Sequence, residues 1–497
     1  MSWKLETSIK TLARKDVDKL TNVVFVIPRF GDTLQHPPFP YASELVARLT
    51  RQQQRRWPMT PVIGDLPNDI GTRYSLAAID AERSTFDMLT LARKLIAPHV
   101  EQRCNQLAVA FYGLDPSIAT RCADALISAW EAAVVPLPTF KSGKQSKPQA
   151  LELSLWGVPN ELALTRARAS ANGTTLARRL TSMPPNRLTP ALYRKEIQRL
   201  ARAHGWRSTF LGRQALKSRR AGAFLAVAQG SENQEAGIMH LRYQPRKTRG
   251  ARSLALVGKG VCFDTGGTNL KPAKSMHGMH EDMEGSAVAL GTLLALTELK
   301  VNFPVDCWLA LSENLIGPRA YKQNDVITAS NGTTIEVVHT DAEGRLLLAD
   351  TLHLATQNRP TLVLDYATLT GACVYALSTR MSGAFTNRPE LLDILIGAGR
   401  TSGERVWPFP MDEDFDSELE SQVADIKQCT LAGEADHILA ARFLDRFVNK
   451  VPWIHVDLSA GNHKGGLGHV PTDITGFGVR FTLELLLGKR VLEQLAK

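Results

Sequence analysis

The sequence lacks the patterns that would place the protein in a membrane or outside the cell. No apolar run approaches the roughly 18 residues that a transmembrane helix needs. The opening segment, MSWKLETSIKTLARKD, has no apolar stretch of the kind found in secretory signals. The six cysteines are scattered, without a CxxC pair that would indicate a disulfide framework or a thiolate metal site. We therefore expect a cytoplasmic protein with reduced thiols and no membrane association.

Two motifs of common enzyme classes are also absent. The sequence contains no HExxH, which excludes the commoner single-zinc peptidase design. It contains no GxxxxGK[ST] either, so VGKG at 257–260 does not indicate a nucleotide-binding loop.

The charge is unbalanced toward the basic side, with 59 Lys and Arg against 49 Asp and Glu. Much of the excess lies in residues 193–220, YRKEIQRLARAHGWRSTFLGRQALKSRR. We interpret this segment as an amphipathic helix with a solvated basic face. The alternative is a surface that binds DNA, which salt-dependent binding to a duplex would reveal.

A chain of 497 residues is too long for one ordinary domain. We predict an N-terminal α/β domain over 1–165 and a catalytic domain over 166–497, with a connecting helix near the boundary. In the second domain, continuous apolar strands alternate with helices, which predicts a mostly parallel central sheet flanked by helices. The strands are predicted at 253–260, 305–313, 361–367 and 453–459, and the helices at 285–299, 345–357 and 436–448.

Two segments of the second domain carry the residues that indicate chemistry. They are VGKGVCFDTGGTNLKPAKSMHGMHEDMEGSA (257–287) and HTDAEGRLLLAD (339–350). Singly, Asp282 is explained as a helix N-cap and Asp264 as a turn residue. Together with Asp341 and Glu343 they form four carboxylates at two strand-to-helix junctions, which a parallel sheet brings to one edge. Carboxylates that converge in this way repel one another unless divalent cations neutralise them, and Mg, Mn and Zn all suit oxygen ligands.

TDAEGRLLLAD resembles the signature of the leucine aminopeptidase (cytosol aminopeptidase) family of dimetal exopeptidases. The pattern VGKG…FD.GG…LKP…M…DM is similar to the other metal-binding segment of that family. The resemblance runs from about residue 170 to the C-terminus and is weak before it. It implies that Asp264 and Glu343 bridge two ions, that Asp341 completes one metal site, and that Lys259 and Asp282 complete the other.

The resemblance also implies roles for residues that do not bind metal. Lys271 would polarise the scissile carbonyl, and Arg345 would hold a bicarbonate ion that acts as general base. Met279, His339 and Thr368 would line the substrate pocket, with Met279 favouring an apolar side chain. The implied nucleophile is a metal-bridged hydroxide, and the implied assembly is a homohexamer. The implied activity is removal of leucine-like N-terminal residues from peptides with a free amine, with two ions, Mn or Zn and alternatively Mg.

Two positions depart from the family pattern. His339 replaces the usual Asn, which leaves the preference on the leaving side open, and Glu284 stands two residues after Asp282. We expect the Glu284 side chain to face outward. All seven residues with chemical roles are present, so we expect activity. A regulatory, DNA-binding protein is the alternative if these two changes disable the site.

Overall fold

The computed structural model describes residues 3–142, 150–158, 161–233, 235–246, 248 and 252–496, without the side chains of 161 and 162. The chain divides into two compact units. The first comprises Met1–Ala171 and Lys464–Asp473, and the second comprises Asn172–His463 and Ile474–Lys497. Among the described helices, none combines the length and apolarity needed to cross a membrane.

The first unit is built around a six-stranded sheet in the order β1-β6-β5-β2-β4-β3. Its neighbouring strands are parallel except for β3 and β4. In chain order its elements are β1 (Lys4–Ser8), α1 (Arg14–Val17), β2 (Asn22–Pro28), α2 (Ala42–Arg51), β3 (Val62–Asp65), β4 (Arg73–Ile79), α3 (Thr85–Glu101), β5 (Gln106–Phe111), α4 (Pro116–Val134) and β6 (Glu152–Trp156).

Strand β2 shows why this sheet is covered on both faces. Its side chains alternate between the two faces because a strand has a period of two residues. Val24 and Val26 belong to one hydrophobic core, whereas Val23, Phe25 and Ile27 belong to another. A continuous apolar run in the sequence therefore corresponds to a strand buried from both sides.

Helix α5 (Glu161–Thr181) contains the division between the units, and the second unit continues to the C-terminus. The elements that follow are α6 (Pro190–His204), β7 (Arg207–Gly212), α7 (Arg213–Ser218), α8 (Gly222–Ala228), β8 (Gly237–Tyr243), β9 (Leu254–Asp264), α9 (Ala273–Met276), α10 (Glu284–Glu298), β10 (Val305–Asn314), β11 (Val326–Thr328), β12 (Thr334–Glu336), α11 (Glu343–Thr356), β13 (Leu362–Ala367), α12 (Gly371–Leu377), β14 (Ser382–Thr386), α13 (Leu392–Ser402), β15 (Val406–Pro408), β16 (Ile426–Lys427), α14 (Asp436–Asp445), β17 (Trp453–Asp457), α15 (Val479–Leu483) and α16 (Val491–Leu495).

The main sheet of the second unit has eight strands in the order β15-β14-β17-β13-β9-β10-β8-β7. Strands β17, β13, β9 and β10 in its middle are mutually parallel, whereas β8 and β14 join this group in antiparallel fashion. A separate small sheet has the order β11-β12-β16. The prediction of a two-domain α/β fold is confirmed, and the sheet is mixed toward its edges.

Helices cover both faces of the middle strands. Gly258 of β9 lies against Ser286 of α10, whereas the next residue, Lys259, lies against Gly344 of α11. Successive side chains of a strand point to opposite faces, so α10 and α11 cover opposite faces of the sheet. The first turns of both helices lie beside Gly258 and Lys259, level with the carboxyl end of the neighbouring strand β13, and sites in such sheets form at the carboxyl ends of strands.

The basic segment 193–220 is not one helix, and only its first part, within α6, is the predicted amphipathic helix with exposed basic residues. Helix α6 ends at His204, and Gly205 follows it in the left-handed conformation with φ of 70°. Glycine adopts this conformation without a steric penalty and commonly ends helices for that reason. The chain then turns into β7, which pairs antiparallel with β8.

Candidate metal centre

Strand β9 ends in a buried carboxylate. Asp264, its last residue, is 2% exposed. Its Oδ1 accepts hydrogen bonds from the Gly266 N–H and from Asn314 Nδ2, both at 2.8 Å. Asn314 ends the neighbouring parallel strand β10, so the carboxyl ends of two strands meet at this point.

The segment that leads into α11 brings two further carboxylates to the same place. Glu343 is the first residue of α11 and is 1% exposed, and Asp341 lies just before the helix. One oxygen from each of Asp264, Asp341 and Glu343 can be chosen so that all three lie within 4.8 Å of one another. Burial and the charge of Asp264 both raise the pKa of Glu343 and of Asp341.

Lys259 joins this cluster to the loop before α10. Its Nζ lies 2.7 Å from Asp282 Oδ1 and 2.9 Å from Glu343 Oε1. Burial by itself lowers the pKa of Lys259, but the charges of Asp282, Glu343 and Asp264 outweigh burial and raise it. Lys259 is therefore an ammonium group when no metal is bound.

Lys271 is the second cation of the cluster. Its Nζ lies 2.9 Å from Asp264 Oδ2 and 2.5 Å from Asp341 Oδ1. Its side chain is 14% exposed, against 4% for that of Lys259, so it is the more accessible of the two ammonium groups. Burial lowers its pKa, but Asp264, Glu343 and Asp341 raise it by more.

The cluster fits divalent cations. Four carboxylates outnumber two ammonium groups in a site whose side chains are buried except for those of Asp341 and Lys271, which are 28% and 14% exposed. One oxygen of Asp282, Oδ2, is buried and has no hydrogen-bond partner among the described residues. Buried oxygen ligands of this kind suit hard or borderline divalent ions.

Gly344 allows Lys259 to approach the start of α11. A Cβ atom on Gly344 would lie 2.7 Å from Cε and 2.9 Å from Nζ of Lys259, closer than van der Waals contact. We therefore expect Gly344→Ala to displace the lysine and to lower kcat/KM at least about tenfold, because small misplacements of reacting groups are costly. Steady-state kinetics measures the change in kcat/KM, and the metal content of the purified protein reports the displacement of the lysine.

Gly397→Ala is the matched control for that change. Gly397 lies within helix α13, and an added Cβ would lie 3.4 Å from the flexible end of Lys489, which is an ordinary contact. We expect Gly397→Ala to keep the wild-type rate. If Gly344→Ala leaves both the kinetics and the metal content unchanged, the position of Lys259 does not affect activity or metal binding, and the prediction is wrong.

The three residues predicted to line the substrate pocket differ in their contacts with the cluster. Thr368 Oγ1 donates to Asp282 Oδ1 at 2.8 Å, and the Thr368 carbonyl accepts from Lys259 Nζ at 3.0 Å. His339 is half-buried, and its Nδ1 accepts the backbone N–H of Asp341 at 3.2 Å. Met279 is half-buried on the short 3₁₀ turn that ends just before Asp282.

Arg345 lies in the first turn of α11 and is 2% exposed. One of its terminal nitrogens, Nη1, donates to the Gln428 carbonyl at 2.9 Å. The other, Nη2, contacts both carboxylate oxygens of Asp436, at 2.8 and 2.9 Å. These contacts do not fit the bicarbonate ion implied by the resemblance, because an internal carboxylate already neutralises the guanidinium.

The expectation that Glu284 faces outward was wrong. Its side chain is 1% exposed, and burial raises its pKa to about 8, with Glu281 and Glu404 adding to the shift. Every residue of α10 from Glu284 to Leu296 is buried. A helix enclosed on all sides has no solvent-facing position for a carboxylate.

Several residues of the site were not identified from the sequence. Asn314 had a usable signal, because it directly follows the apolar strand predicted at 305–313. Gln428 had no such signal in the sequence, although its Oε1 accepts hydrogen bonds from the backbone N–H groups of Val338 and His339, at 2.7 and 3.2 Å. Asp436 likewise lies far along the chain from the arginine that it contacts.

Comparison with known proteins gives consistent matches over this unit. Residues 175–483 match the cytosol aminopeptidase family, catalytic domain. The chain is 42% identical over 333 residues to a probable cytosol aminopeptidase of Synechococcus sp. (strain JA-3-3Ab). This match covers 67% of this chain and 65% of the relative, so the chain spans slightly under two thirds of the relative's length. It is 36% identical over 429 residues to a probable cytosol aminopeptidase of Polaromonas sp. (strain JS666 / ATCC BAA-500), covering 85% of this chain and 82% of that protein.

A solved structure is similar over nearly the whole chain. The bottromycin maturation enzyme BotP in complex with Mn superposes with a TM-score of 0.81 at 28% identity. The match covers 94% of this chain and 99% of BotP, so it includes the first unit as well as the second.

Proposed function

Because the chain belongs to the cytosol aminopeptidase family, we propose that it is a metal-dependent aminopeptidase that removes leucine-like N-terminal residues from peptides. The observation that carries this proposal is the buried cluster of Asp264, Asp341 and Glu343 with two lysines between the carboxylates. The manganese in the similar BotP structure supports a divalent metal here.

We propose that the cluster holds two divalent ions, manganese or zinc. Asp264 and Glu343 would serve both ions, Asp341 would complete the ligands of one, and Lys259 and Asp282 would complete those of the other; the contacts among these side chains support the assignment. Such ions act as Lewis acids and lower the pKa of water when they are bound. Lys259 must lose its proton to become a metal ligand, so metal binding is expected to weaken as the pH falls.

Lys271 is the residue that we assign to the substrate carbonyl. Its ammonium group is held by Asp264 and Asp341 at the more accessible side of the cluster. A fixed cation at the carbonyl oxygen stabilises the negative charge that develops there during attack. We also assign Thr368 to the border of the bound substrate, and its contacts with Asp282 and Lys259 support this assignment.

A comparison of blocked and free substrates tests the proposal. We expect leucine p-nitroanilide to be hydrolysed with Mn or Zn and to be left intact after treatment with chelator. The N-acetylated anilide should not be hydrolysed, because an exopeptidase requires the free amine. Turnover of the acetylated compound, or turnover that persists without metal, contradicts this mechanism.

Location, assembly and DNA binding remain predictions. The six cysteines are all free and buried, which supports a reducing compartment such as the cytoplasm. Light scattering coupled to size-exclusion chromatography tests the predicted homohexamer. Retention on duplex DNA at low salt, lost at high salt, would support the DNA-binding alternative.

A further inference from the structure

A buried arginine lies two residues after the proposed metal ligand Glu343, and its charge is balanced from within the chain. Arg345 Nη2 contacts both oxygens of Asp436, and Nη1 contacts the Gln428 carbonyl. Of the three guanidinium nitrogens, only Nε is without a hydrogen-bond partner in the described part of the chain. Charges buried to this extent are stable only when they are paired.

These contacts disfavour a separate anion on Arg345. Arginine holds a planar anion through two parallel N–H bonds, and both edges of the guanidinium that offer such a pair include Nη2, which Asp436 already occupies. An added anion would also lie close to the carboxylate of Asp436 and would be repelled by it. A small anion therefore has to displace Asp436 before it can bind.

The backbone holds Asp436 in place. It is the first residue of α14, where a carboxylate interacts favourably with the positive end of the helix dipole. Ala435, just before it, has a φ of 51°, a left-handed conformation that is sterically unfavourable for a residue other than glycine. The fold therefore maintains a strained residue at the point where the chain places this carboxylate.

We infer that Asp436 is the resident counter-ion of Arg345, and that it takes the place of a diffusible planar anion such as bicarbonate beside the metal centre. Asp436 is then a positioning residue, which acts on the site by fixing the guanidinium. Its effect on the rate rests on the proposed aminopeptidase function, but its effect on anion binding does not.

Bicarbonate binding tests this inference directly. Isothermal titration calorimetry in carbonate-free buffer should detect no binding of bicarbonate or formate to the wild-type protein at millimolar concentration. The same titration of Asp436→Ala should show binding of both anions, because the variant exposes an unpaired guanidinium. Binding to the wild-type protein, or none to a folded Asp436→Ala variant, overturns the inference.

Activity gives the second measurement. Wild-type activity should not change when bicarbonate is removed or added. Asp436→Ala should lose about ten- to a hundredfold in kcat, as is usual when the support of an active-site group is removed, and bicarbonate or formate should restore much of the loss. Wild-type dependence on bicarbonate, or no rescue of the variant, contradicts the inference. Absence of peptide turnover by the wild-type protein contradicts the proposed function and leaves the calorimetric result valid.

Asp416→Ala is the matched control. Asp416 also pairs with an arginine through two bonds, from Arg442 Nε to Oδ1 at 2.8 Å and from Nη2 to Oδ2 at 2.7 Å. We expect this variant to keep the wild-type rate and to show no rescue by bicarbonate. If Asp436→Ala does not fold, Asp436→Asn removes the charge, keeps the shape, and should bind bicarbonate as well.

Discussion

Replacing Glu343 by glutamine is expected to lower kcat/KM by about 10²- to 10³-fold and to reduce the metal content of the purified protein. The buried carboxylate contacts Lys259 and lies within the cluster with Asp264 and Asp341. Glutamine keeps the size of the side chain but removes its charge, and the cations lose a negatively charged ligand. The expected loss corresponds to about 3–4 kcal/mol of transition-state stabilisation. Steady-state kinetics and mass spectrometry of bound metal measure the two effects.

Asp350→Asn is the matched control for Glu343→Gln. Asp350 is buried on the same helix, and its oxygens accept the N–H groups of Phe224 at 2.8 Å and Ser330 at 2.6 Å. Its replacement should lower the melting temperature but leave the metal content unchanged. If Glu343→Gln retains both metal and activity, the assignment of Glu343 as a shared ligand is wrong.

Replacing Lys271 by methionine is expected to lower kcat by about 10²- to 10³-fold while metal stays bound. Methionine has a similar length and cannot donate a hydrogen bond or carry charge. Loss of one donor to a developing oxyanion has an effect of this size. Asp264 and Asp341 lose an ammonium partner, so their affinity for divalent cations should be kept or increased. Kinetics at saturating metal measures the effect on kcat, and a metal titration separately measures the effect on metal affinity.

The exposed Lys274 lies three residues after Lys271 on helix α9, and Lys274→Met is the control for a general change of charge. We expect it to leave kcat within about twofold of wild type, because an exposed charge is screened by water and salt. A Lys271→Met variant that loses its metal, or that raises KM with kcat unchanged, contradicts a role at the carbonyl oxygen.

The sequence was sufficient to identify the elements that carry the cluster. Strand β9 and helix α11 lie close to their predicted positions, because long apolar runs between turn residues are strong local signals. Asp264 and Glu343 were predicted to converge because parallel strands bring their carboxyl ends to one edge. The structure places oxygens of these two residues in one cluster with Asp341.

Prediction failed where an element's surroundings, and not its own residues, decided the outcome. Residues 193–220 carry enough charge for a solvated helix, but the chain turns after Gly205 and β7 pairs with β8. Glu284 is polar and was expected to face water. Whether a helix position faces water depends on what packs around the helix, and this information is not present in the helix sequence alone.

The amino-acid sequence by itself determined the α/β character of the chain and the carboxylates and lysines of the cluster, because short motifs and apolar runs specify them locally. Only the tertiary structure decided the environment of Glu284 and the partner of Arg345. Asp436 lies 91 residues after Arg345 in the sequence, and the packing of α14 near the start of α11 brings them together. A side chain's identity is local, whereas its partner depends on how distant helices pack.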